Sequence, residues 1–95
     1  MKAVINGKVV AQSDDTVYIE GNQYFPMSSI NMDLLTNSET QYHCPWKGDA
    51  QYHNVDGVKD AAFGYPNPLP SAELKTKRDI SDLVAFDKSM VEITA

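Results

Sequence analysis

A single cysteine, Cys44, stands alone in 95 residues, so the chain has no internal disulfide and no Cys-x-x-Cys pair. It also lacks any Asn-x-Ser/Thr acceptor, and both absences fit a reducing cytoplasm. Long apolar runs are missing. The longest is Leu83–Phe86, against the ~20 residues a membrane helix requires. After Met1-Lys2 only Ala3-Val4-Ile5 precede Asn6-Gly7, so no secretory leader and no membrane partner are expected. Basic residues are few: eight against thirteen acids, a net charge of −5, with Arg78 the sole arginine. Their one cluster, Lys75-Thr76-Lys77-Arg78, is flanked by Glu73, Asp79 and Asp82 and reads as a solvated turn. Nucleic acid, which demands clustered cations to displace phosphate counterions, is therefore not expected as a partner.

Catalytic signatures are equally scarce. The five glycines form neither a GxGxxG nor a phosphate-binding P-loop, and no DxD or ExE pair is present to hold two metal ions. His43 and Cys44 are neighbours that a strand would turn to opposite faces, and His53 is distant, so no metal site and no cofactor are expected. No GxSxG elbow occurs.

What remains is an ordinary globular composition, 42% apolar and 22% charged, sufficient for one small domain spanning residues 1–95. Short turns punctuate it. Asn6-Gly7 between Lys2–Ile5 and Lys8–Ala11 predicts a hairpin with Val4 opposite Val9. Gly21-Asn22 predicts a second, with Ile19 opposite Tyr24 and Tyr18 opposite Phe25, ending at Pro26. Met27, Ile30 and Leu34 are spaced for a short helix capped by Ser28 or Ser29. Thr40–Cys44 reads as a strand. Asp56-Gly57 predicts a third hairpin pairing Val55 with Val58, Tyr52 with Ala61 and Ala50 with Phe63, and placing His53 opposite Asp60 in solvent. Tyr65–Pro70 must be extended and reads as a rigid connector. Helical turns near Ser71–Leu74 and Asp79–Asp82, then strands around Leu83–Phe86 and Met90–Thr94, complete a mainly β chain with one or two short helices.

The densest chemistry lies in Cys44-Pro45-Trp46-Lys47-Gly48, which holds the only cysteine and the only tryptophan. Lys47 beside Cys44 would activate the thiol; alternatively Cys44 is a small buried hydrophobe and Trp46 a core anchor. Alternation places Tyr42, Cys44 and Trp46 on one face, which the aromatic pair marks as the buried one. Glu20 is the carboxylate best placed to sit beside aromatic rings, with Glu39 second.

The run Thr40-Gln41-Tyr42-His43-Cys44-Pro45-Trp46-Lys47-Gly48-Asp49-Ala50-Gln51-Tyr52 resembles the central signature of a small bacterial family of unknown function carried under a nucleotidyltransferase-type heading. Val10–Ser13, Tyr24-Phe25-Pro26, Ala62–Pro68 and Val84–Phe86 resemble its flanking segments, with Phe63 where the family usually carries tryptophan. The resemblance implies two small antiparallel sheets packed like a tent, as in exchange-factor and methionine-sulfoxide-reductase relatives. The expected function is binding of a small molecule in a shallow aromatic pocket involving Glu20, Cys44, Trp46, Lys47 and Tyr52. The alternatives are a non-catalytic protein-interaction module, working through a strand edge or Pro66–Pro70, and a thiol-dependent enzyme using Cys44.

Overall fold

A computed structural model describes residues 1–95. Nine strands form two antiparallel sheets, as expected for the mainly β class. The smaller sheet holds β1 (Lys2–Ile5), β2 (Lys8–Gln12) and β9 (Glu92–Thr94) in the order β2-β1-β9. The larger holds β3 (Val17–Ile19), β4 (Asn22–Pro26), β5 (Leu35–Cys44), β6 (Gly48–Val55), β7 (Val58–Gly64) and β8 (Leu83–Phe86). Its order is β3-β4-β8-β7-β6-β5, so β8 slots between strands from the first and middle thirds of the chain. No helix is long and apolar enough to cross a membrane.

That insertion explains the one four-residue apolar run. Val84 and Phe86 face a core shared with the smaller sheet, alongside Ala3, Ile5, Val10, Phe25, Val55 and Ala62. Leu83 and Ala85 face the other way, into a second core with Ile19, Tyr24, Cys44, Tyr65 and Ala72. A strand covered on both sides needs apolar residues at every position. All four residues of β8 are buried.

The first hairpin pairs Val4 with Val9 as expected, with Asn6 and Gly7 both at positive φ. The second has a different register. Its turn is Glu20-Gly21, with φ of +51° and +84°, so Ile19 pairs with Asn22, Tyr18 with Gln23 and Val17 with Tyr24. The two-residue turn needs positive φ at both central positions, and Gly21 serves as the second of them rather than the first. Glu20 takes the left-handed conformation that a glutamate rarely adopts.

The third hairpin opens as expected, Val55 against Val58, and then slips. Two extra residues on β7 bulge out around Asp60, whose φ is +57° and whose amide donates to the Asn54 side-chain oxygen at 3.1 Å. Tyr52 consequently pairs with Phe63 rather than Ala61, and Gln51 with Gly64. A shift of two preserves the faces, so Tyr52 and Phe63 share one side with ring centroids 5.8 Å apart. His53 lies opposite Ala62, not Asp60, and is buried instead of solvated.

The expected helix over Met27–Leu34 is replaced by two 3-10 turns, Met27–Ser29 and Met32–Leu34. Ile30 between them is extended and bridges to Ala11, while the Asn31 amide donates to Val10 O and the Met27 amide to Asp82 O. Backbone partners in the sheets thus outcompete the local 3.6-residue pattern. The only α-helix is α1, Pro70–Thr76, opened by proline at its first position.

Burial lowers the pKa of His53 from its ordinary 6.5, and its Nδ1 has no hydrogen-bond partner. Between 6.5 and that lower folded value the unfolded chain binds the extra proton, so stability falls as pH drops through this window. Urea titrations at pH 7.5 and below 6 should show the loss, and His53→Leu should flatten it. An unchanged slope in the variant would assign the pH dependence elsewhere.

Candidate functional site

The site is built on the outer face of the larger sheet, where three segments meet. The turn after β5 carries Cys44-Pro45-Trp46-Lys47-Gly48. It is clamped from the far side by the segment leading into α1. The Leu69 amide donates to Lys47 O at 3.0 Å, and the Ser71 hydroxyl to Trp46 O at 2.6 Å. Gly48 has φ of +106°, and a Cβ there would lie 3.3 Å from Asn67 O and 3.4 Å from Leu69. The positive φ calls for glycine, and the close approach of this segment leaves a Cβ little room. Residues 65–69 link β7 to α1, which Pro70 opens.

Lys47 is the centre of the arrangement. It is 6% exposed, and its ammonium donates to Glu20 Oε1 at 2.7 Å across 27 residues of sequence. The same ammonium lies 5.1 Å from the Trp46 ring centroid and 4.7 Å from that of Tyr65. Burial alone would push its pKa down; the Glu20 hydrogen bond leads the interactions that outweigh it, and the net shift is upward. Burial in turn pushes the Tyr65 hydroxyl up to about 12 and raises that of Tyr24, the Lys47 charge opposing both. At neutral pH the lysine is therefore charged and both phenols are neutral. The contact also accounts for Glu20: its unusual backbone brings the carboxylate to the buried cation.

Beside this pair runs a shallow open groove of about 410 Å³, lined by Val17, Tyr18, Ile19, Glu20, Trp46, Lys75 and Thr76. Strand alternation points Tyr18 to the opposite side from Val17 and Ile19, so it lines the groove as an exposed residue, whereas Trp46 is the ring held beside the ion pair. Lys75, from the last turn of α1, holds its ammonium 4.7 Å from the Trp46 centroid. Two larger hollows lie on β5 and its neighbours. One contains an exposed His43–Asp49 contact of 2.7 Å, and the other is lined by no hydrophobic residue.

The five residues singled out by sequence all fall on or beside this face, with different roles. Glu20 and Trp46 line the groove. Lys47 sits behind them, tying one to the other. Cys44 is buried in the outer core, as expected, although only Trp46 of its two aromatic neighbours packs there. Tyr42 itself is 51% exposed, because β5 is an edge strand and its ring joins neither core. Tyr52 packs on Phe63, which meets Tyr24 at 6.1 Å and Tyr65 at 6.5 Å, and does not line the groove. Lys75 and Thr76 were missed. They lie in the segment read as a solvated turn, and only the helix from Pro70 brings them against Trp46.

Alkylation of the native protein by iodoacetamide should be slow at Cys44 and should accelerate only on unfolding, because the thiol is 5% exposed. Fast labelling under native conditions would restore the thiol-enzyme reading.

Fold and site together define a two-sheet antiparallel β protein with an ion pair pinning a tryptophan beside an open groove. The chain belongs to the family described as a domain of unknown function, DUF427, whose model matches residues 1–95. The family carries a nucleotidyltransferase-type short name. No curated protein matches the chain in sequence.

Proposed function

We propose that the protein binds a small molecule in the groove between the β3–β4 turn and α1, against Trp46. The observation that carries this reading is the fixing of Trp46 at an open wall. Its carbonyl is held by Ser71, and its ring lies beside the Lys47–Glu20 pair and remains accessible. The groove falls within the roughly 300–1,000 Å³ range of small-molecule sites, and preorganisation lowers the entropy cost of binding. A charged lysine and neutral phenols support binding over acid–base or nucleophilic chemistry, and the burial of Cys44 weighs in the same direction. The transferase heading of the family finds no paired carboxylates or phosphate loop to support it here.

The test is a thermal-shift screen over metabolites, repeated on variants. Compounds that raise the melting temperature of the native protein should lose their effect in Trp46→Ala and keep it in Tyr52→Ala. Hits indifferent to Trp46→Ala, or a panel with no hit, would overturn the assignment.

A further inference from the structure

The charge arrangement in the groove narrows the ligand class, given the binding reading above. The one carboxylate in the groove is already neutralised: Glu20 accepts from the buried Lys47 ammonium at 2.7 Å. Its one groove-lining cation is not. Lys75 is exposed, forms no ion pair and donates no hydrogen bond, and its ammonium rests only on the Trp46 ring. Glu73, two residues back on α1, points to a different side of the helix and leaves that charge uncompensated. Of the two hydroxyl-bearing residues, Tyr18 is neutral and Thr76 is engaged internally, with its hydroxyl donating over 2.8 Å to Ala72 O and 3.0 Å to Arg78 O. A ligand entering the groove therefore meets the flat Trp46 ring, two aliphatic residues, Val17 and Ile19, the exposed Tyr18, and one free positive charge.

We infer that the groove selects a planar aromatic acid, with its ring on Trp46 and its carboxylate on Lys75. A ring-shaped anion satisfies both exposed features at once, since lysine's flexible stem lets the ammonium follow the carboxylate while the indole keeps a stacking partner. A cationic ligand would have to displace Lys75 from the indole and would find the only acid already paired. A neutral ring would leave the ammonium where it is and compete with it for the same indole. In a chain of net charge −5 this is a local exception to the overall field, so the preference belongs to the groove and not to the surface at large.

Trp46 is the only tryptophan, so its fluorescence reports the groove directly. Three isosteric probes separate the possibilities: benzoate, benzyl alcohol and benzylamine. Benzoate should perturb Trp46 emission saturably, with an apparent Kd at least tenfold below that of benzyl alcohol, and benzylamine should bind more weakly than either. Lys75→Met should bring benzoate back to the benzyl alcohol level, and added salt should weaken benzoate alone. Benzylamine or benzyl alcohol binding as well as benzoate, or benzoate binding untouched by Lys75→Met, would overturn the acid preference and leave the groove assignment standing. If none of the three perturbs Trp46, the acid preference falls. The groove assignment falls with it only if no thermal-shift hit depends on Trp46.

Discussion

Phe25→Ala is expected to lower the stability of the protein by roughly 3–5 kcal/mol, the usual cost of deleting a fully buried ring. Phe25 is 0% exposed and meets Phe86 edge-on, with centroids 5.5 Å apart, in the core between the two sheets. Val84 pairs with it across the sheet, and the core it belongs to is rich in short side chains, Ala3, Ala11, Ala61 and Ala62, which have little reach to fill a vacated space. Total stability for a domain is about 5–15 kcal/mol, so this one change can leave a substantial unfolded fraction. Phe63 provides the contrast. It is only half-buried, at the rim of the outer core, and Phe63→Ala should cost clearly less. Urea denaturation of both variants checks the order, and equal losses would mean that the inter-sheet core is not the principal one.

The second large effect concerns the ion pair. Glu20→Gln keeps the shape of the side chain but leaves the Lys47 ammonium without its carboxylate. A fully buried pair broken from one side costs about 3–5 kcal/mol. The Glu20 side chain is 53% exposed, so water relieves part of that, and about 1.5–3 kcal/mol is expected, as for a hydrogen bond between charged groups. Lys47→Met removes the buried charge itself and should cost less than Glu20→Gln. Once Lys47 is methionine, adding Glu20→Gln should change little. A double-mutant cycle measures the coupling, and a value near zero would show that the pair does not hold the β3–β4 turn.

Turn chemistry was the most legible layer of the sequence. Asn6-Gly7 and Asp56-Gly57 mark their hairpins correctly because few residue pairs tolerate positive φ twice in succession. The register was harder to read, since tertiary partners set it. The Asp60 bulge is held by Thr40, whose hydroxyl donates to the Asp60 carboxylate at 2.7 Å across 20 residues. Glu20 enters a turn position that its intrinsic preference disfavours because Lys47 receives it. Both partners are far away in the chain, and no local pattern announces them. The site shows the same division. Cys44–Gly48 was conspicuous by composition, whereas the approach of Lys75 to Trp46 depends on where the connector delivers α1.

The position of β8 also governs how the protein comes into being. Phe25 on β4 must find Val84 on β8, and Ala3 on β1 must find Ile93 on β9, so both sheets are completed by segments near the end of the chain. Loops this long must be closed before their contacts contribute, a topology associated with folding in milliseconds to seconds. Until Leu83–Phe86 inserts between them, β4 and β7 keep open edges with their ladder groups unpaired.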